Sequence, residues 1–156
     1  VLNEIHYNPP AVNTAGEFIE IYNRGAAPVD LAGWSFRKGI SFTFPEISIP
    51  AGGYAVVADN PAALAAAHGL APGEVLGPWL GTLSNSRENI RLVDTVGNVV
   101  DEVTYEDGGR WSEWADGGGS SLELVDPRQD NSFATAWARS GSVSKTPTSS
   151  ASSSVR

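Results

Sequence analysis

Residues 16–36 read GEFIEIYNRGAAPVDLAGWSF and carry the strongest structural signal in this chain. In the first part of the run, Phe18, Glu20 and Tyr22 fall on one face, and the isoleucines between them fall on the other. This period-two alternation is typical of a β-strand. Residues 23–25, Asn-Arg-Gly, break the pattern as a turn does. A second strand then ends at the Gly-Trp-Ser-Phe sequence, so the run predicts a piece of β-architecture rather than a catalytic motif.

Similar signals recur along the chain. Further strands are predicted at residues 1–7, 33–37, 40–44, 54–58, 89–93, 98–105 and 121–125. Residues 89–93 and 98–105 flank an Asp-Thr-Val-Gly turn, which predicts a hairpin. The nearly unbroken apolar run at 54–58 indicates a strand covered on both faces. Eight or nine short strands with turns between them predict an all-β, antiparallel sandwich.

One short helix interrupts this pattern. Asn60 can cap its N-terminus, and Pro61 suits its first position. After His68, Gly69 can adopt the left-handed backbone conformation that commonly ends a helix. About two turns are too few for a stable isolated helix. We therefore expect it to pack on the sheet.

Composition limits the possible functions. The 156 residues fit one domain, and the absence of cysteine excludes zinc-thiolate sites, iron–sulfur clusters and thiol nucleophiles. A net charge of -8 with scattered cationic residues argues against nucleic-acid binding. Nowhere does the sequence approach the roughly 18 apolar residues of a membrane span. Because the chain contains no methionine and opens on Val1, we expect a module from a larger multi-domain protein, with any signal peptide outside this sequence.

The composition changes near the C-terminus. Residues 141–156 are rich in Ser and Thr and have no apolar periodicity. Such a sequence buries too little surface to offset its ordering entropy. We therefore predict a folded domain at residues 1–140 and a disordered linker at residues 141–156.

Several motifs in order resemble the bacterial lamin-tail domain family. They are NEIHYNPP, the opening run at 16–36, FTFP followed by IPAGGYAVVA, LGTLSNSRENIRLVDTVGNVVDEVTY, and SLELVDPRQDNS closed by Trp137. The resemblance implies an immunoglobulin-like β-sandwich and an accessory role in large secreted or cell-surface proteins. The chain lacks the coiled-coil heptads, nuclear localisation cluster and prenylation box of nuclear lamins, and it has Glu20 where their tails tend to be basic. A filament or nuclear role therefore does not carry over.

The sequence contains little evidence for an enzymatic activity. His6 and His68 are the only imidazoles, and the sequence has no G-x-S-x-G nucleophile elbow. Glu4 and Glu20 could oppose one another if the first two strands pair, as in a glycosidase carboxylate pair, but a structural cross-strand pair is the better interpretation. The sequence thus predicts that the chain is not an enzyme.

Two binding possibilities remain open. Asp126, Asp130 and Asn131 supply oxygen ligands within six residues and are candidate calcium ligands, as is the pair at residues 59–60. Their spacing matches no EF-hand, and Asp and Asn also stabilise ordinary turns.

The five tryptophans are the other possibility. Trp34 and Trp137 fit the core, whereas Trp111 and Trp114, beside Arg110 in a glycine-rich loop, are expected to be the most exposed. Their favoured role is structural, to cover the open end of the sandwich, and a binding patch is the other interpretation. We predict a non-catalytic spacer, scaffold or protein-binding module of an extracellular or cell-surface bacterial protein, with a protein or surface partner. The alternative is a glycan- or protein-ligand-binding module that uses the Trp111/Trp114 loop.

Overall fold

A computed structural model describes residues 1–13 and 15–141. Those residues form twelve β-strands, one α-helix and two short 3-10 helices. The number of strands exceeds the predicted eight or nine because the sequence patterns did not predict the short strands at Val29–Asp30, Ser48–Ile49, Val75–Leu76 and Trp137–Arg139. The predicted linker, apart from Gly141, lies outside the described residues.

In chain order the elements are β1 Leu2–His6, β2 Phe18–Tyr22, β3 Val29–Asp30, β4 Ser35–Lys38, β5 Phe42–Thr43, β6 Ser48–Ile49, β7 Tyr54–Ala58, α1 Pro61–His68, β8 Val75–Leu76, β9 Arg87–Val93, β10 Val99–Glu106, β11 Leu122–Leu124 and β12 Trp137–Arg139. The 3-10 helices are Glu113–Ala115 and Ala134–Ala136.

Two large sheets enclose the core. One has six strands in the order β12-β11-β1-β2-β7-β8, the other four in the order β10-β9-β4-β5, and β3 and β6 form a small third sheet. Every strand pair is antiparallel except β7 and β8. The all-β, immunoglobulin-like sandwich with one short helix is therefore confirmed.

Alternation along β1 and β2 builds the centre of the six-stranded sheet. Ile5 lies opposite Ile19, and both side chains are fully buried in the core between the two sheets. The same register sets Glu4 opposite Glu20 on the outer face. The predicted pairing of these two strands, and of the two glutamates, is correct.

Helix α1 forms as its capping signals predict. The Asn60 side chain accepts a hydrogen bond from the Ala63 N–H, and Gly69 ends the helix with a φ of 66°. Leu64 and Ala65 pack with Ala58 against the outer face of the six-stranded sheet. The strand β7 is thus covered on both faces over most of its length.

Asp101 ties the two sheets together at one end of the sandwich. Its Oδ2 atom accepts hydrogen bonds from the Leu2 N–H at 2.6 Å and from Asn131 Nδ2 at 2.8 Å. One carboxylate on β10 therefore satisfies donors from β1 and from the turn that precedes β12.

Asp101→Ala should destabilise the fold, because it leaves these two partly buried donors without an acceptor. We expect the free energy of unfolding to fall by about 2–4 kcal/mol, since an unpaired buried donor costs about 1–3 kcal/mol. Urea unfolding followed by tryptophan fluorescence measures the change. The control is Asp107→Ala, at an exposed position just after β10, for which we expect a change within about 0.5 kcal/mol. Equal effects of the two substitutions would contradict the bridging role.

Candidate functional site

The predicted tryptophan loop joins β10 to β11 and separates its two tryptophans. Trp111 is buried, with its ring centroid 6.3 Å from that of Trp137, so the prediction that it is exposed is wrong. Trp114 is 58% exposed, and the Arg139 guanidinium lies 5.3 Å from its ring centroid. Arg110 is exposed beside Trp111. Of the two rings, only Trp114 is accessible to a ligand, and it already forms a cation–π pair with Arg139.

The two tryptophans that the sequence places in the core, Trp34 and Trp137, differ in how far they are buried. Trp137 is buried, and its Nε1–H donates a hydrogen bond to the Asn131 carbonyl at 2.8 Å. Trp34 is only partly buried, at the rim of the core. Its exposed edge belongs to a surface described below.

The candidate calcium ligands make local hydrogen bonds. Asp126 Oδ1 accepts from the Arg128 N–H, and Asp130 Oδ1 accepts from the backbone and hydroxyl of Ser132. The buried Asn131 points its amide toward Asp101. Within residues 1–13 and 15–141, no three or more His, Asp or Glu side chains are grouped to hold a metal ion. A calcium ion at this turn stays a prediction.

The two histidines differ in exposure. His6 is buried with its ring edge against Phe18, and burial lowers its pKa, with a smaller contribution from His68. Its imidazole is therefore held neutral. His68 is exposed in the last turn of α1, where the sequence predicts it.

The β9–β10 hairpin carries an apolar surface that the sequence interpretation missed. Val96 is 80% exposed, Val99 52% and Val100 42%. An apolar cleft of about 110 Å³ opens between the sheets beside Val100, and its lining includes Leu31, Trp34 and Leu92. We call Val96, Val99, Val100 and this cleft the hairpin end. The alternating sequence at residues 98–105 predicts a strand, but it does not predict that the start of this strand is exposed.

The rest of the four-stranded sheet's outer face is polar. Arg91 and Glu102 form an ion pair at 2.8 Å, and Asn89 Nδ2 donates to Thr104 Oγ1 at 2.9 Å. Both are cross-strand pairs between β9 and β10, and such pairs stabilise a sheet. The hairpin end is thus an apolar surface at the edge of a charged face.

A buried carboxyl lies at the opposite side of the sandwich. Glu17 is 6% exposed, and its Oε2 atom accepts a hydrogen bond from the Leu83 N–H at 3.0 Å. Burial raises its pKa to about 7, the Leu83 hydrogen bond opposes this shift, and the nearby Asp59 charge adds to it. Asp59 itself packs against Gly16, which has a φ of 74° and leaves no room for a Cβ atom. Glu17 is a buried structural group with an unusual titration, not an exposed acid.

These features define an immunoglobulin-like sandwich module. The family model described as Lamin Tail Domain matches residues 1–107, and the chain belongs to this family. Domains of this family are structural or interaction modules and are generally non-catalytic. No curated protein matches the chain. Where the structure describes the chain, no helix is long and apolar enough to cross a membrane.

Glu17 predicts a specific pH dependence of stability. Its pKa in the folded state, about 7, exceeds its ordinary value of 4.5, so its contribution is fully present below about pH 4.5 and is lost as the pH rises through 7. Glu17→Gln keeps an acceptor for Leu83 and cannot ionise. We expect the variant and the wild type to differ little at pH 5, and the variant to be more stable at pH 8 by on the order of 1–3 kcal/mol.

Chemical denaturation of both proteins across this pH range measures the difference. Glu106→Gln, on the exposed face of β10, is the matched control for the loss of one glutamate. A difference between wild type and Glu17→Gln that does not vary with pH would contradict the assignment.

Proposed function

We propose that this chain is a non-catalytic interaction module whose partner-binding surface is the hairpin end. The observation that carries the proposal is the exposed Val100 beside an apolar cleft, with Val96 and Val99 also exposed on the same hairpin. The cleft is large enough for one apolar side chain of a partner. Exposed apolar surface rimmed by polar residues is typical of protein interaction sites.

The charge pattern supports a protein partner at this surface. Arg24 lines the cleft on one side, and Arg91 and Arg37 line a shallow depression on the other side of the hairpin, together with Val96 and Val99. The arginines around the apolar surface favour a protein partner, because arginine is enriched in binding hot spots. A partner with an apolar side chain flanked by acidic groups would fit this arrangement.

The proposal also covers the parent protein and its location. We place it in a larger secreted or cell-surface bacterial protein, where it acts as a spacer or scaffold that also holds a protein or surface partner. This setting rests on the resemblance to bacterial lamin-tail domains, and the family membership supports the role as a structural or interaction module.

A second candidate function rests on Trp114. An exposed indole beside the Arg139 guanidinium can stack on a sugar ring while the cation contacts its hydroxyl groups. Trp111 cannot contribute, since it is buried against Trp137. This alternative makes the module a glycan binder through one aromatic ring.

One experiment separates the two candidates. A photo-crosslinking amino acid at position 100 of the parent protein should capture a protein partner, while the same group at position 106, on the polar face, should not. Val100→Asp should weaken that partner's binding by about tenfold or more, because losing an interface anchor costs on the order of 2 kcal/mol. Trp114→Ala is the matched control and should leave the binding unchanged.

The opposite pattern would overturn the main proposal. If Trp114→Ala abolishes binding on a glycan array and Val100→Asp changes nothing in either assay, the glycan alternative replaces it. Circular dichroism of both variants checks that each remains folded.

A further inference from the structure

A β-bulge gathers three cations on neighbouring strands of the four-stranded sheet. The register between β4 and β9 shifts between Phe36 and Lys38, so Arg37 is the extra residue of the bulge. Lys38 lies directly opposite Arg91, and Arg37 lines the same depression as Arg91. We call Arg37, Lys38 and Arg91 the basic cluster. Like charges on opposed residues destabilise a sheet, so the cluster is held together in spite of its own repulsion.

The fold neutralises only part of this charge. The Arg91 guanidinium donates to Glu102 Oε1 at 2.8 Å, through its Nη2 atom. Within residues 1–13 and 15–141, neither Arg37 nor Lys38 forms an ion pair. The basic cluster is therefore a local concentration of positive charge in a chain whose net charge is -8. Such a patch attracts a negatively charged group to one place on an otherwise acidic molecule.

A buried hydroxyl group holds the Arg37 side chain in place. Arg37 Nε donates to Ser35 Oγ at 2.8 Å, and Ser35 is 2% exposed. The Nη groups of Arg37 have no partner among the residues that the structure describes. Because the side chain is already ordered, it loses less conformational entropy when a ligand binds. The two Nη groups of a guanidinium match the two oxygens of a carboxylate.

The surface next to these donors is apolar. Arg37 and Arg91 line an open depression of about 440 Å³, together with Thr95, Val96 and Val99. Val96 and Val99 are both exposed. A bare phosphate or sulfate group would use the arginines and leave the valines uncovered. An acidic side chain next to an apolar one in a peptide would contact both.

We propose that this depression binds an acidic segment of a partner protein. A carboxylate of the segment contacts Arg37 and Arg91, and an adjacent apolar side chain packs on Val96 and Val99. The inference rests on the proposed function, because these valines belong to the hairpin end, and it adds a second point of contact to the cleft beside Val100. Lys38 strengthens the attraction without lining the depression.

A pair of blocked peptides tests the chemistry of the depression by NMR titration of the full chain. The probe is acetyl-Val-Glu-Val-Glu-Val-amide, and the matched peptide has glutamine in place of both glutamates. We expect the acidic peptide to shift the backbone amides of residues 37, 91 and 95–99 saturably, and the glutamine peptide to bind at least about tenfold more weakly. Raising the ionic strength from about 0.01 M to about 0.15 M should weaken the acidic peptide, since the Debye length falls from about 30 Å to about 8 Å.

Arg37→Gln should weaken binding of the acidic peptide by about fivefold or more, because it removes one of two guanidinium donors. The matched control is Arg87→Gln on β9, since Arg87 already pairs with Glu106 at 3.6 Å, and it should leave binding unchanged. Circular dichroism checks that both variants fold. The proposal is overturned if neither peptide causes saturable shifts, if the two peptides bind equally, or if the two substitutions have equal effects.

The partner captured through position 100 distinguishes this inference from the proposed function. If Val100→Asp weakens that partner and Arg37→Gln does not, the acidic contact is wrong and the hairpin end still stands as the binding surface. If neither substitution weakens it, both proposals fall. If both substitutions weaken it, the partner contacts the cleft and the depression together.

Discussion

The pairing of β1 with β2 and β11 is the constraint on which the rest of the molecule depends. β1 lies inside the six-stranded sheet, and its alternation, together with the register shift between Leu2 and Glu4, buries Leu2 and Ile5 and turns Glu4 outward. A slip of one residue would exchange the two faces and bury the glutamate. The hydrophobic core and the outer-face alignment of Glu4 with Glu20 and Glu123 are therefore two results of one register, and neither can change without the other.

Much of this fold could be predicted because its signals are local. The strands β1, β2, β7, β9 and β10 each have enough alternating residues to be recognised alone, and α1 has a complete set of caps. The two-residue strands β3, β5, β6 and β8 could not be located to their bounds, because a bridge of two residues depends on a distant partner rather than on its own sequence. The opposition of Glu4 and Glu20 followed from strand pairing, but Glu123 required the register of β11.

The surfaces were harder to predict than the core. A glycine-rich loop suggested exposure for Trp111, yet its ring is needed to close the end of the sandwich against Trp137. Conversely, Val99 and Val100 have the composition of a buried strand but extend past the cover of the opposite sheet. Exposure depends on where each sheet ends, and no short window of sequence contains that information. The buried state of Glu17 likewise depends on Leu83, which is 66 residues away.

The position of β11 has a consequence for synthesis and folding. The hydrogen bond between Ser121 and Glu4 joins residues 117 positions apart, and β1 has its second neighbour only when β11 arrives. During translation, one edge of β1 therefore stays without its partner strand until most of the chain has emerged from the ribosome. Contacts of such long range slow folding, and an open edge of this kind is a template for association between chains. We expect the nascent protein to be most vulnerable to aggregation just before residues 122–124 are made.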